Sequence, residues 1–149
     1  MAGTETTRCN LTAFRKATRR VSQLYDAILA PSGLRGTQRA ILVRIARSES
    51  LAMGELAAAM VLDRTALTHN LKPLQRDGLV SVVTDKDDRR SRRVRLTKRG
   101  EAALAESHDA WRRAQQQFET AFGAKQAADL RQTLEMIAAL DFGEVSPAA

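Results

Sequence analysis

Between Asp63 and Gly100 the chain reads DRTALTHNLKPLQRDGLVSVVTDKDDRRSRRVRLTKRG, and few folds accept that order of parts. Asp63 is placed to cap a helix that carries Leu67, Leu71 and Leu74 along one side. Thr65, Thr68, His69, Lys72 and Arg76 fall on the other side, because steps of three and four residues keep a stripe on one helical face. Gly78 suits a left-handed residue just past the helix, with Leu79 as the apolar residue that follows. Two β-like runs come next, Leu79–Thr84 and Arg93–Thr97, with the polar segment DKDDRRSR as an exposed tip between them. A helix followed by a hairpin in this order is a winged helix-turn-helix, which lays the helix in a DNA groove and the hairpin beside it. Pro73 lies inside the helix and removes one backbone donor, so it is expected to bend or strain the turn from His69. The cap, the apolar stripe and the terminal glycine outweigh it.

The remaining segments arrange themselves around this module. From Leu11 to Leu29 apolar residues recur at Leu11, Phe14, Ala17, Val21, Leu24 and Ile28, one face of a helix. Pro31, Gly33 and Gly36 break the chain, and Thr37 can cap a second helix with Ile41, Leu42 and Ile45 inward. A short helix follows from Met53 to Met60 with Leu56, Ala57 and Met60 inward, and Val61-Leu62 makes the turn into the Asp63 helix. Thr97 can cap a long helix from Lys98 with Leu104, Trp111 and Phe118 at a spacing of seven, a seam suited to another long helix. Gly123 ends it, and a last helix carries Leu130, Leu134, Ile137 and Leu140. The fold class is therefore mainly α with a small β-hairpin wing, α-α-α-α-β-β-α-α. Residues 37–99 form the DNA-binding lobe and residues 9–30 and 100–142 a helical dimerisation region, all within a single chain of residues 1–149. One winged module cannot cover the apolar faces of both chain ends, so these helices are expected to pack together and onto a second copy. A monomeric bundle is the alternative. The ends, at about Met1–Arg8 and Phe142–Ala149, are expected to fray.

Charge supports the same division. The whole chain carries a formal +7, but residues 63–99 hold 11 Lys/Arg against 5 Asp/Glu, whereas residues 100–149 hold 4 against 8. A basic centre with an acidic tail describes a directed phosphate-binding face. A solvated surface or an anionic-membrane patch would be the other uses of such a segment. No apolar run approaches the roughly 20 residues that span a bilayer, and the N-terminus has no apolar signal core. The single cysteine, Cys9, allows no intrachain disulfide, which suits a reducing cytoplasm.

On the helix face, Arg64, Thr65, Thr68 and His69 lie near the start, where side chains can reach base edges or phosphates. Lys72 and Arg76 lie further along and suit backbone phosphate. A merely solvated face usually mixes Glu with Lys, and here no acid stands between Arg64 and Arg76. At the hairpin tip Arg89, Arg90, Arg92 and Arg93 follow Asp85, Asp87 and Asp88. Arginines so crowded need phosphates or carboxylates nearby. A tip arginine can enter the minor groove, and Asp88 could orient Arg90; an internal Asp–Arg ladder is the alternative.

These residues together resemble the MarR family of bacterial transcription regulators. The resemblance rests on Glu55-Leu56-Ala57, on the run from Asp63 through Leu67-Thr68, Leu71-Lys72-Pro73-Leu74 and Gly78-Leu79-Val80, and on the wing Asp88-Arg89-Arg90 ending in Val94-Arg95-Leu96-Thr97 and Gly100. It covers about Leu11 to Leu140 with the same helix order. It implies a homodimer joined through the N- and C-terminal helices, bound to a palindromic double-stranded DNA operator, usually as a repressor. It also implies Arg90 as the wing-tip residue and Asp88 as its support. In such a helix Pro73 is a familiar feature.

Family members commonly release DNA when a small, often phenolic or otherwise aromatic, compound binds between the dimer helices and the reading lobe. Candidate lining residues are Phe14, Arg15, Tyr25, Ile41 and Trp111, each of which also reads as core or surface. Some relatives sense peroxides through a cysteine near the start of the first helix. Cys9, helped by Arg8 and the helix N-terminus, offers an oxidation-sensing alternative. Aligned through Tyr25, it falls about two residues before that sensing position, which Leu11 occupies here. A non-specific architectural DNA-binding protein is a further alternative. No cofactor or metal site is expected, since Cys9, His69 and His108 lie in different elements. An enzyme is not expected either: no nucleophile–base pair, phosphate-cradling glycine loop or paired carboxylates stand out.

Overall fold

The computed structural model describes residues 8–143 and residue 145. The expectation of frayed ends falls largely on residues outside these. The chain divides into two compact units, Met1–Ala114 and Gln115–Ala149.

In the first unit, helix α1 (Asn10–Leu29) runs into a 3-10 turn (Ala30–Ser32) that Gly33 ends with φ 77°. Helix α2 spans Gly36–Ala46. The sequence places its cap at Thr37; in the structure the cap is Arg35, two residues earlier. There Asp26 of α1 accepts the Gly36 N–H at 2.7 Å, and the Gln38 side chain accepts the Arg35 N–H at 3.0 Å. These two acceptors answer N–H groups that no helical carbonyl can reach.

A two-residue strand β1 (Leu51–Ala52) precedes helix α3 (Met53–Ala59). The turn after α3 puts Val61 at φ 52°, the one non-glycine residue with positive φ among those described. The Leu62 N–H reaches back to the Ala57 carbonyl at 2.9 Å. A β-branched residue is strained in that region. Helix α4 (Arg64–Arg76) runs on through Pro73. At its start the Asp63 carboxylate accepts the Ala66 N–H at 2.7 Å. At its end Gly78 takes φ 72°, with Gly78 N–H to Gln75 O at 3.0 Å and Leu79 N–H to Leu74 O at 2.8 Å. That pair of bonds is the Schellman arrangement.

Strands β2 (Val80–Thr84) and β3 (Arg92–Leu96) pair antiparallel with Val82 opposite Val94. The sheet has three strands, in the order β1-β3-β2, because Leu51 also pairs opposite Val94. A strand of two residues has no period, so β1 left no pattern in the sequence. Thr97 then locks the hairpin to α4: its hydroxyl donates to Gly78 O at 2.6 Å and accepts from Gly100 N–H at 3.0 Å. Gly100 is required here, since a Cβ would overlap the Leu79 carbonyl oxygen.

The long helix expected from Lys98 is two helices, α5 (Lys98–Glu106) and α6 (His108–Phe122), joined at Ser107. Ser107 is fully buried; its hydroxyl donates to Leu104 O at 2.7 Å and accepts from Arg39 Nε at 3.0 Å. A serine hydroxyl that bonds the preceding turn competes with the helical ladder.

The core of this unit joins Ile41, Leu42 and Ile45 of α2 to Leu56 of α3, Leu67, Leu71 and Leu74 of α4, and Val94 of β3. Each is at most 1% exposed. In the second unit the rest of α6 is followed, after Gly123 at φ 106°, by α7 (Ala124–Ala138). There Phe118 stacks on Phe122 with centroids 5.6 Å apart, and Arg131 pairs with Glu119 at 3.5 Å. Ala127 is the buried residue of α7, while Leu130, Leu134 and Met136 are exposed. No helix among the described residues is long and apolar enough to cross a membrane.

Candidate nucleic-acid interface

Helix α4 buries Leu67, Leu71 and Leu74 and turns Arg64, Thr65, Thr68, His69, Lys72 and Arg76 outward, all of them exposed. Their local bonding distinguishes them. The Thr68 hydroxyl donates to the Arg64 carbonyl at 2.8 Å, so its methyl group and oxygen lone pairs remain for a partner. Arg76 pairs with Asp77 at 3.2 Å, an exposed contact that contributes little and yields easily to phosphate. Arg64 and Lys72 enter none of the described ion pairs.

The wing tip is held by its carboxylates. Asp85 accepts the Asp87 N–H at 3.0 Å, and Asp88 accepts the Arg90 N–H at 3.0 Å. Asp88 therefore shapes the turn through the Arg90 backbone; the sequence reading had it orient the guanidinium. Arg93 differs from its neighbours. It donates to Ser50 Oγ at 2.9 Å and Ser50 O at 3.0 Å, and pairs with Asp85 at 3.5 Å. The Asp87 N–H first, and then the Arg93 charge, hold the Asp85 carboxyl below the ordinary carboxylate value. Arg93 is thus the tether of the wing to the loop before β1, and the expected Asp–Arg ladder shrinks to this one pair. Arg89, Arg90 and Arg92 stay exposed and outside the described ion pairs.

A groove of about 320 Å³ between α4 and the wing brings Arg64 and Thr68 together with Arg90 and Arg92. Leu71 and Gln75 form part of its wall. Three guanidinium groups on one groove, with no carboxylate in its lining, favour an anion. His69 and Arg89 are exposed but outside it. Gln75 has no signal in the sequence, and Arg92 stands there only as one of the four crowded tip arginines. The signal for Arg92 was the alternation of the strand, which turns Arg93 inward and leaves Arg92 out.

None of the described cavities is lined by Phe14, Arg15, Tyr25, Ile41 or Trp111. Ile41 is fully buried in the hydrophobic core with Leu67, Leu71 and Leu74. Phe14 and Arg15 are exposed on α1, and Tyr25 is half-buried there. Trp111 is half-buried and lies under the guanidinium of Arg39, 4.8 Å from the ring centroid, with His108 at 5.7 Å on its other contact. Arg39 is 8% exposed and faces no carboxylate among the described ion pairs; burial draws its pKa down. Ser107 and the Trp111 ring replace the missing anion. Arg39 leaves no local signal in the sequence, because its partner Ser107 is 68 residues away. Cys9 is exposed at the N-cap of α1, and hydrogen bonding from the Thr12 side chain, then its N–H, draws the thiol below its usual pKa.

Comparison with known proteins gives a consistent picture. A MarR family model matches residues 34–91. The transcriptional activatory protein BadR of Rhodopseudomonas palustris is 39% identical over 71 residues, 46% of this chain but only 41% of BadR. The crystal structure of the M. tuberculosis transcriptional regulator MosR in complex with DNA is similar over 87% of this chain and 98% of that one, with 38% identity and a TM-score of 0.73. A mutant of MarR from E. coli, solved with operator DNA, has the same fold over 84% of this chain and 90% of its own, with 23% identity and a TM-score of 0.75.

Proposed function

From the premise that this chain belongs to the MarR family of transcriptional regulators, we propose that it acts as a homodimer on a palindromic double-stranded DNA operator, as a repressor released by a small aromatic ligand. The observation that carries the DNA reading is the groove where Arg64 and Thr68 of α4 meet Arg90 and Arg92 of the wing. In this reading Thr65, Thr68 and His69 reach base edges, with the Thr68 methyl suited to a thymine methyl. Lys72 and Arg76 hold backbone phosphate, and Arg89 and Arg90 approach the minor groove beside it. The relatives solved with DNA, MosR and MarR, support the partner.

Dimerisation is supported by apolar side chains with no cover. Leu11 is 62% exposed, and Phe14, Leu130, Leu134 and Leu140 are all exposed as well. A protein stable as a monomer seldom leaves so many large apolar groups in water. Two copies would place two reading helices on two half-sites, which is why the operator is expected to be palindromic.

For the ligand reading, the exposed or half-buried rings of Phe14, Tyr25 and Trp111 are the candidate contacts, with an aromatic compound stacking on the Trp111 face that the Arg39 guanidinium does not cover. A second reading is favoured by the exposed, acidified Cys9: oxidation to a sulfenic acid would release DNA in place of a ligand. Peroxide separates the two: under the thiol reading it weakens operator binding by the native chain and not by Cys9→Ser, and under the ligand reading it affects neither.

The experiment that tests the main reading is selection of genomic fragments with the purified full chain, followed by affinity for the winners and for scrambled duplex across a salt series. A palindrome held about 10³-fold or more over scrambled DNA is the expected result. Equal, steeply salt-dependent affinity for all sequences would replace it with an architectural role, and no binding would overturn it.

A further inference from the structure

The winged module does not hold all of the unpaired positive charge. Helix α1 carries Arg15, Lys16, Arg19 and Arg20, all exposed and in none of the described ion pairs. Arg15 with Arg19 and Lys16 with Arg20 are like charges four residues apart, which repel on a helix. The one acid of α1, Asp26, has a carboxylate oxygen taken by the Gly36 N–H at 2.7 Å. At 3.6 residues per turn these cations lie on the side of α1 opposite Phe14, Ala17, Val21 and Ile28. A second copy that covered the apolar side would leave the basic side free.

The stripe also joins a built cleft. Arg19 and Arg35 line one cavity of about 710 Å³ together with Ser22, Gln23 and the carboxylate of Asp26. Arg35 is the N-cap of α2, and the positive end of that helix is already met by the Asp26 carboxylate, so the guanidinium groups of Arg19 and Arg35 are what the cleft offers an anion. α2 shares its core with α4 through Ile41, Leu42 and Ile45. The cleft is therefore fixed to the helix that faces DNA.

We propose that Arg15, Lys16, Arg19 and Arg20 with Arg35 form a second phosphate-binding track, which takes the DNA backbone beyond the stretch read by α4 and the wing. This rests on the DNA reading above. Arg15 to Arg20 covers about 7.5 Å of helix axis, about two phosphate steps along one strand. The competing occupant, the acidic C-terminal segment of a second copy, is disfavoured because the stripe lies away from the apolar face that such a copy would cover.

The test uses the full-length chain and a variant with Arg15→Gln, Lys16→Gln, Arg19→Gln and Arg20→Gln. Dissociation constants are measured for a selected operator and for the same operator extended by about one helical turn, roughly 10 base pairs, on each side, between about 50 and 200 mM salt. The expected result is that the native chain holds the extended duplex about tenfold more tightly at low salt. The variant should match it on the short duplex, lose the tenfold gain, and show a salt slope on the extended duplex lower by about two units. A variant that keeps the gain, or a native chain that shows none, overturns the track. Altered sedimentation of the variant would assign the stripe to a second copy and overturn it as well. Failure of the native chain to bind even the short operator would be a different failure, that of the DNA reading itself.

Discussion

The winged module and the helices that flank it are built from similar residues and end in opposite states. In the module Leu56, Leu67 and Ile45 are each fully buried. On α1 and α7, Leu11, Phe14, Leu130 and Leu134 show the same helical spacing and remain exposed. The module closes its core within one chain because two helix faces and a sheet converge on α4. Helix α7 buries Ala127 and leaves Leu130 and Leu134 exposed. Amphipathic spacing thus reports that a face must be covered, and says nothing of which chain covers it.

Charges placed on the uncovered face should break this comparison most sharply. With Leu130→Asp and Leu134→Asp together, we expect sedimentation as a monomer and operator affinity lower by about 10²- to 10⁴-fold, the advantage of joining two modules. The secondary structure of the winged module should survive, and circular dichroism checks that. A variant that remains a tight dimer would move the interface elsewhere. In the closed region, Leu71→Ala should lower unfolding free energy by about 2–5 kcal/mol in denaturant titration, with a midpoint shift that does not depend on protein concentration once dimer is saturated.

Within the module, the free wing arginines and the tethered one should behave differently. Arg90→Ala is expected to weaken operator binding and reduce the salt slope by about 0.9, one phosphate contact, with no change in melting temperature. Unchanged binding would remove Arg90 from the interface. Val61→Asn should stabilise the fold by about 1 kcal/mol, since asparagine tolerates the left-handed backbone that strains valine. A loss in thermal melts would place the strain elsewhere. The smallest effect concerns Asp85. Its folded pKa is depressed, so the tether to Arg93 contributes above the unfolded carboxylate value and is lost as pH falls through the lower folded value. Amide protection at the wing, exchange relative to the unfolded-chain rate at the same pH, should therefore fall on acidification in that window, and Asp85→Asn should flatten the fall.

Much of the reading head was legible because it is written in local chemistry. Asp63, Gly78 and Thr97 satisfy helix ends through atoms within a few residues of themselves, and each stands where the pattern put it. Pro73 is tolerated because Leu67, Leu71 and Leu74 anchor the helix on both sides of it. Less legible was the division of labour among the wing arginines. Arg93 is spent on Ser50, 43 residues away, whereas Arg90 and Arg92 are left for a partner. The break at Ser107 was hidden as well, since it depends on Arg39 arriving from α2.

The sequence alone determined the order of elements, their caps, the acid-free face of α4 and the concentration of positive charge, since each depends on spacing along one helix or on one turn. Only the tertiary structure decided which cations are structural and which are free, where β1 joins the sheet, and that Arg39 lies buried on Trp111. Those outcomes depend on which distant groups packing brings within hydrogen-bond reach, and a buried charge or N–H takes whatever partner the fold supplies.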